Sequence, residues 1–332
     1  MPNDCSHPFE KSATAPDVYA PVYDGLQERP FPRQLGMEVT AFCNLHCAMC
    51  HNATLKRPKG RMPFELFRRC VDEVAELSPS TEVWLSFNGE PLLEPELLLR
   101  MLAYAKSLRL TSLNLNSNGT RLDDTLVEPL LASGLDLVVF GIDGLTSETY
   151  SRVRLGGDRD CVYANVERFL ALRLACATGP EIMVQFIEME ENAHEREAFV
   201  DYWLSRGAIL KVRRKLSWGG RMNTALAVPP ERRTACPWSV NLMHVCWDGT
   251  VPRCCGDTDG TEAVGNVWHE SLSTLWRRMA PNRAAQLDGR FDQLPARCAT
   301  CRDWMVGVSE KIRPTWGAFS DQPAPAESVA EW

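Results

Sequence analysis

Strand-like and helix-like segments alternate along the chain from Gly36 to Leu216. Short apolar segments that favour strands are separated by longer segments whose apolar residues recur at helical spacing. The predicted strands are 37–42, 82–87, 111–119, 135–143, 181–189 and 208–216. The predicted helices between them are 64–77, 95–108, 122–134, 160–176 and 194–207. This pattern predicts an α/β fold with a parallel sheet, arranged as an incomplete barrel because eight repeats usually need about 250 residues.

The segments outside this repeat have a different composition. Residues 1–33 are Pro-rich and polar, which predicts an extended arm. After residue 216 the periodicity stops, and residues 236–306 hold six cysteines and five tryptophans, which predicts a small unit held together by metal. We therefore divide the chain into the arm, a barrel (34–216), the small metal-binding unit (217–310) and a polar tail (311–332).

The amino-acid composition and net charge exclude some classes of function for this chain. The 332 residues are 45% hydrophobic and 24% charged, as in globular proteins that bury a core. The net charge of −7 and the lack of a long apolar segment mean that neither a nucleic acid nor a membrane is expected as a partner. No export signal is recognisable, so the thirteen cysteines are expected to be reduced thiols in the cytoplasm, where clustered thiols indicate metal ligands or reactive groups.

The first cysteine group follows the first predicted strand. The segment CNLHCAMC places Cys43, Cys47 and Cys50 with three and then two residues between them. Three thiolates on one loop can hold three irons of a [4Fe-4S] cluster and leave the fourth iron open to another ligand. The alternatives are three unrelated core thiols, or zinc with His46 or His51 as the fourth ligand.

These cysteines match the CxxxCxxC motif, and the chain resembles the radical S-adenosylmethionine (SAM) superfamily. The resemblance implies a partial (β/α)6 barrel whose cluster offers its open iron to the amino and carboxyl groups of SAM. One electron then cleaves SAM to methionine and a 5′-deoxyadenosyl radical, which removes a hydrogen atom from the substrate. Met49 stands where the family usually has an aromatic residue.

Three further segments resemble the SAM-binding segments of the family. FNGEP (87–91) resembles the GGEP-type motif that holds the SAM amino group, and its alternative is a plain turn. NSNG (116–119) resembles the segment that contacts the SAM ribose. IDG (142–144) begins a stretch that includes Arg154. The resemblance implies that Arg154 pairs with the SAM carboxylate or with the substrate, and the alternative is a surface salt bridge. The implied SAM contacts are Met49, Asn88, Gly89, Glu90, Ser117, Asn118, Asp143 and Arg154.

The second cysteine group resembles the SPASM domain found on some radical SAM enzymes. Cys236-x12-Gly249-x4-Cys254 fits its opening signature, but no cysteine follows the CxxC of Cys298 and Cys301. The shortened "twitch" version therefore fits better, with a second [4Fe-4S] cluster held by these four cysteines, and zinc is the structural alternative. The remaining thiols of this region, Cys246 and Cys255, are core residues, hydrogen-atom donors or a substitute ligand.

The single auxiliary cluster is similar to that of radical SAM dehydrogenases of aminoglycoside and aminocyclitol biosynthesis. The resemblance implies that a secondary carbinol loses a hydrogen atom to the radical, a proton from its hydroxyl and an electron to the auxiliary cluster, which leaves a ketone. An aminosugar or aminocyclitol substrate and an external electron donor such as flavodoxin or ferredoxin are expected. The candidate proton acceptors are Glu188, Glu190 and Asp143, which as carboxylates can also be solvated or structural.

Other functions stay open. An epimerase would use the same abstraction and return hydrogen from a cysteine such as Cys246 or Cys255. Peptide-modifying enzymes usually carry an N-terminal peptide-recognition domain, for which 33 residues are too few, and a purely electron-carrying protein would not need SAM-binding segments. The acidic balance suits a cationic aminosugar, whereas the basic triplet at 213–215 either faces an anionic group or forms a solvated rim.

Overall fold

The computed structural model describes residues 25–176, 178–224, 233–305, 309–314 and 329–331. Most of the predicted arm, with Cys5, lies outside the described residues. The strands are β1 Gln34–Met37, β2 Glu82–Trp84, β3 Leu113–Ser117, β4 Leu137–Gly141, β5 Glu181–Glu188, β6 Ile209–Arg214, β7 Leu242–Val245, β8 Thr250–Val251, β9 Gly265–Asn266, β10 Ser309–Ile312 and β11 Val329–Glu331.

Helices follow the strands and cover the outside of the sheet. Apolar residues at helical spacing give α1, for example, a buried face of Leu66, Phe67, Cys70, Val71 and Val74. The helices are α1 Phe64–Leu77, α2 Pro95–Ser107, α3 Asp124–Ala132, α4 Ser147–Val153, α5 Arg159–Cys176, α6 Arg196–Leu204, α7 Pro237–Asn241, α8 Leu272–Arg278, α9 Ala280–Leu287 and α10 Ala296–Thr300.

Within the described ranges, nine strands form one sheet in the order β11-β10-β6-β5-β4-β3-β2-β1-β7. Strands β1 to β6 lie side by side in chain order, and every pairing among them is parallel. The predicted α/β class and parallel barrel sheet are therefore confirmed. The carboxyl ends of parallel strands meet at one edge, which is where the loops that carry the cysteine and SAM-binding motifs begin.

The first strand differs from its prediction. It covers Gln34–Met37 instead of 37–42, so the predicted boundaries were wrong. The extended backbone continues past Met37, but it leaves the barrel sheet and pairs with residues 60–62 through the bonds from Ala41 N to Gly60 O and from Met62 N to Val39 O. Alternation of apolar residues predicts an extended backbone, but it does not predict which segment that backbone pairs with.

Periodicity missed the strands that come from the Cys-rich segment and its C-terminal flank. β7 pairs in parallel with β1 and places Gln34 opposite Leu242, while β10 pairs antiparallel with β6. Each has only four residues, too few to show a period. The segment after residue 216 thus extends both edges of the barrel sheet, and the division of the chain at 216/217 stays a prediction.

The main apolar core fills the space between the sheet and its covering helices. Phe186 on β5 packs against Phe199 on α6 with ring centroids 4.8 Å apart, and the buried Trp203 lies 4.9 Å from the ring of Tyr163. Within the described part of the chain, none of the helices combines the length and the apolar character that crossing a bilayer would require.

Two leucines on α5 test how much the core packing contributes. We expect Leu170→Ala to lower the free energy of unfolding of the apoprotein by about 2–5 kcal/mol, because Leu170 is 4% exposed and its removal leaves a cavity. Leu172→Ala on the same helix is the matched control, since this side chain is 37% exposed and should cost under about 1 kcal/mol. Equal losses in urea unfolding would contradict the assignment of the buried face of α5.

Candidate functional site

A cavity of about 310 Å³ lies inside the barrel and opens to solvent. Alternate residues of the strands line it, such as Gln185 and Ile187 on β5, because successive side chains of a strand point to opposite faces. The loops after β1 and β2, the end of β3 and the residue after it contribute Cys43, Cys47, Cys50, Met49, Asn88, Gly89, Glu90, Ser117 and Asn118. The structure therefore brings most of the residues implied by the cysteine and SAM motifs to one cavity.

The three thiols of the first loop share this cavity wall. Burial raises the pKa of Cys43 and raises that of Cys50 to about 11. The Cys47 Sγ lies 3.6 Å from Arg154 Nη1, and Asn118 Nδ2 lies 3.9 Å from Cys43 Sγ. A set of three thiols suits a [4Fe-4S] cluster with one open iron. Of the two histidines proposed for zinc, His46 is exposed and outside the lining.

A buried network fixes the second of these histidines. The Asn88 Nδ2 donates to the buried Glu38 carboxylate at 2.8 Å, which turns Asn88 Oδ1 toward His51. The His51 Nε2 therefore carries the proton that it shares with Asn88, and the unpartnered Nδ1 is an acceptor. Burial lowers the pKa of His51 to about 4, so the ring is neutral at pH 7.

The segment after β2 is held against the end of β3 by one carboxylate. Glu90 accepts hydrogen bonds from Asn118 N at 2.7 Å, Ser117 Oγ at 2.9 Å and Leu92 N at 3.0 Å. Burial raises the pKa of Glu90, and these three donors oppose that effect. Gly89 is required beside it, since a Cβ there would lie 2.0 Å from the carbonyl oxygen of Thr40.

Asp143 and Arg154 form a buried ion pair beside the first cysteine loop. Asp143 is fully buried, and its carboxylate accepts from Arg154 Nε at 2.8 Å and from the backbone N of Ile187 at 2.5 Å. The guanidinium lies over Gly141, where a Cβ would be 2.2 Å from Nη2. Arg154 lines the cavity and Asp143 does not, so Asp143 orients Arg154 instead of facing the cavity.

The second cysteine group lines a smaller, neighbouring cavity. Its wall includes Cys236, Cys254, Cys298 and Cys301, the four residues that the sequence pattern selects. Burial raises the pKa of each thiol, to about 12 for Cys298 and about 11 for Cys301. Four thiols suit a fully ligated [4Fe-4S] cluster.

The two leftover thiols of this region have different surroundings. Cys255 lines both cavities, and Trp218 and Trp238 do so as well. Cys246 is fully buried near Glu38 and Arg57 and belongs to the lining of neither cavity. Sequence spacing does not distinguish these thiols, whereas their positions favour Cys255 as the one that can meet a substrate.

The glutamates suggested as proton acceptors lie outside the larger cavity. Gln185 and Ile187 point into the cavity, so Glu188 points to the opposite face of β5. There its Oε2 lies 3.8 Å from Arg196 Nε. Glu190 is exposed. Glu90 is the one carboxylate among the described lining residues, and three hydrogen bonds occupy all but about one of its acceptor sites. The role of Glu188 and Glu190 stays a prediction that their positions do not support.

Several lining residues were missed in the sequence. Trp84, Lys211 and His244 face the cavity at alternate strand positions, a signal that the strand pattern carries once the inner face is known. Trp218 was not predictable from any motif. Its indole donates to the Met49 carbonyl at 2.9 Å and lies 4.2 Å from the His51 ring, which ties the segment after β6 to the first cysteine loop.

Comparisons with known proteins find matches to two family models and to a relative that covers most of the chain. Residues 37–195 match the family model described as the Radical SAM superfamily, and residues 236–302 match SPASM, an iron-sulfur cluster-binding domain. The chain is 30% identical over 336 residues to PqqA peptide cyclase of Gluconobacter oxydans, with 88% of this chain and 90% of that protein covered.

Two further matches cover less or are more distant. A tungsten-containing aldehyde ferredoxin oxidoreductase cofactor-modifying protein of Pyrococcus furiosus is 28% identical over 53% of this chain, which spans about half (49%) of that relative. The crystal structure of BtrN in complex with AdoMet and 2-DOIA superposes with a TM-score of 0.58 at 16% identity, covering 83% of this chain and 94% of that one. This likeness shows a shared fold.

The Asp143–Arg154 pair provides a stability test. We expect Asp143→Asn to lower the free energy of unfolding by about 3–5 kcal/mol, because it leaves a buried guanidinium without its counter-charge. Glu148→Gln is the matched control, since it breaks the exposed pair with Arg152 on α4 and should cost under about 1 kcal/mol. Urea unfolding of the apoproteins measures both, and similar small losses would contradict a buried pair.

Proposed function

The chain belongs to the radical SAM superfamily, and on that premise we propose that it oxidises a secondary alcohol of a natural-product intermediate to a ketone. The cofactors are SAM and [4Fe-4S] clusters, as the radical SAM and SPASM domains require. We place the first cluster on Cys43, Cys47 and Cys50 and the auxiliary cluster on Cys236, Cys254, Cys298 and Cys301.

The residues of the larger cavity suit the parts of SAM. The Glu90 carboxylate and the carbonyls near Gly89 can accept from its ammonium group, Ser117 and Asn118 lie where its ribose would bind, and Arg154 can pair with its carboxylate. Asp143 is a positioning residue in this arrangement. When bound, SAM and the clusters supply a 5′-deoxyadenosyl radical that takes a hydrogen atom and an acceptor that takes one electron.

The observation that carries the proposal is the shared wall of the two cavities. Cys255, Trp218 and Trp238 line both, so a substrate in the larger cavity lies beside the four thiols of the smaller one. Loss of a hydrogen atom, an electron and the hydroxyl proton converts a carbinol to a ketone. Because Glu188 and Glu190 lie outside the cavity, we assign the proton to water at the cavity mouth.

The substrate and the partners are also proposals. An aminosugar or aminocyclitol of antibiotic biosynthesis is supported by the shared fold of BtrN, which was crystallised with AdoMet and 2-DOIA. We propose flavodoxin or ferredoxin as the electron donor. A reducing cytoplasm suits the twelve cysteines in the described ranges, all of which are free thiols.

Two specific observations favour other outcomes. Cys255 lines the substrate cavity, where a thiol could return a hydrogen atom to the opposite face of a substrate radical, as an epimerase requires. The similarity to PqqA peptide cyclase favours a peptide substrate. The experiments below separate these functions.

Iron content tests the two cysteine groups. Anaerobically reconstituted protein should bind about eight irons, four in each of two clusters. Replacing Cys43, Cys47 and Cys50 by Ala should leave about four irons and abolish formation of 5′-deoxyadenosine with dithionite and SAM. Cys161→Ala, which removes an exposed thiol on α5, is the control and should retain about eight irons and the formation of 5′-deoxyadenosine. Zinc in the remaining site, or no iron at all, would overturn the assignment.

Turnover in deuterated water distinguishes oxidation from epimerisation. With candidate aminocyclitols, SAM and dithionite, we expect a ketone whose carbonyl carbon carries neither hydrogen nor deuterium, because its hydrogen atom leaves to the adenosyl radical. Deuterium at an inverted carbon would contradict oxidation and favour epimerisation, in which Cys255→Ala should abolish deuterium incorporation and Cys161→Ala should not. Loss in Cys246→Ala instead would move the hydrogen donor away from Cys255. Modification of a precursor peptide but of no aminocyclitol would favour the peptide function.

A further inference from the structure

One histidine of the Cys-rich segment faces the larger cavity. His244 on β7 lines this cavity, and the parallel pairing of the strands places it opposite Gly36 on β1. The residue is 8% exposed. A Cβ at Gly36 would lie 2.2 Å from Nδ1 and 2.5 Å from Cε1 of the imidazole, so the glycine makes room for the ring. The ring therefore lies across β1, on the side of the barrel that carries the segment after β2.

Two contacts fix the orientation of the imidazole. Its face stacks on Phe87 with ring centroids 3.9 Å apart and an angle of 13° between the planes. The ring atoms closest to the missing Cβ of Gly36 are Nδ1, Cε1 and Cγ, so Nε2 lies farther from β1 than they do. Nδ1 is buried and has no hydrogen-bond partner among the described residues. Nε2 is therefore the ring nitrogen that can meet a ligand in the cavity.

The surroundings determine the charge of this histidine and the position of its hydrogen. Burial lowers the pKa of His244 to about 3, so the ring is neutral at pH 7. Because a Cβ at Gly36 would point at Nδ1, a Cα hydrogen of this glycine faces Nδ1, and such a group cannot accept a hydrogen bond. A hydrogen on Nδ1 would thus be a buried donor without an acceptor, which places the hydrogen on Nε2. His244 presents a neutral N–H donor to the cavity.

His244 lies between the residues that we assign to SAM and to the auxiliary cluster. Phe87, on which the ring stacks, directly precedes residues 88–90, which are proposed to hold the SAM ammonium group. In the other direction, the chain from Cys236 runs through α7 and β7 to His244 and carries Trp238, which lines both cavities. An oxygen atom bound to Nε2 would lie on the wall that connects these two groups of residues.

We propose that His244 donates a hydrogen bond from Nε2 to the substrate oxygen that becomes the ketone. The inference rests on the proposed function and names a residue that binds the reacting group. The carbinol gives its carbon-bound hydrogen atom to the adenosyl radical, its hydroxyl proton to water and one electron to the oxidised auxiliary [4Fe-4S] cluster. A C–H and an O–H bond break, and a C=O bond forms. Negative charge gathers on the oxygen as its proton leaves, and a fixed neutral donor stabilises that charge.

Binding without turnover tests the donor. Reconstituted holoprotein with SAM and no reductant would be titrated by calorimetry with scyllo-inosamine, an aminocyclitol, and with scyllo-inosose, a ketone on the same carbon ring. We expect His244→Phe, which keeps an aromatic ring against Phe87, to weaken the binding of both about tenfold. The infrared carbonyl stretch of bound scyllo-inosose should have a lower frequency in the wild-type protein than in this variant, because a hydrogen bond weakens the C=O bond.

Further variants locate the effect. His244→Gln keeps a side-chain N–H donor and should retain part of the affinity and of the frequency difference, which gives a second test if His244→Phe does not fold. His269→Phe is the matched control, because this exposed histidine lines neither cavity, and it should change neither quantity. With dithionite, ketone formation from an aminocyclitol should be about a hundredfold slower in His244→Phe. The iron content and the Kd of SAM are measured on each variant.

The outcomes separate the proposals. The donor is refuted if both variants of His244 leave the Kd of the cyclitols and the carbonyl frequency unchanged. It is also refuted if only the Kd of SAM changes, because His244 would then serve the cofactor. If neither cyclitol binds to the wild-type protein, the donor and the aminocyclitol substrate are refuted together. A carbonyl bound through His244, without ketone formation from any aminocyclitol, would leave the hydrogen bond standing and refute the oxidation.

Discussion

The buried carboxylate of Asp143 is the constraint around which the site is arranged. It accepts from Arg154 Nε and from the backbone N of Ile187, and its own carbonyl accepts from Asn192 Nδ2 at 2.8 Å. The backbone of Asp143 adopts a φ of 61°, which is unusual for a residue other than Gly. The hydrogen bonds to its carboxylate and carbonyl hold this conformation in place. One side chain thereby connects the ends of β4 and β5 with the guanidinium beside Cys47.

Local periodicity predicted the part of the fold that depends on local sequence. The helix at 64–77 is found at the predicted boundaries, because the sequence itself shows its apolar face and the proline that precedes it. The sequence did not predict which segments the strands pair with. The first strand ends at Met37 instead of residue 42, and β7 pairs with β1 although more than two hundred residues separate them. Such pairings depend on packing between distant segments, which no short pattern encodes.

The candidate site divides in the same way. Loop motifs identified Cys43, Glu90 and Asn118, since these residues lie on short segments whose spacing is itself the signal. Lys211 and Cys255 were not assigned to the cavity by spacing, because their place in it depends on which face a strand turns inward and on how a distant segment folds over it. A carboxylate such as Glu188 looked suitable by its position in the chain and points away by strand alternation.

The parallel pairing of β7 with β1 makes the Cys-rich segment part of the barrel sheet. A chain that stopped after β6 would leave the backbone amides and carbonyls of β1 without their neighbour, an open border that invites pairing between separate molecules. β7 takes over the edge position of the sheet from β1. The barrel sheet and the Cys-rich segment therefore depend on each other, because each strand of this pair supplies hydrogen-bond partners to the other.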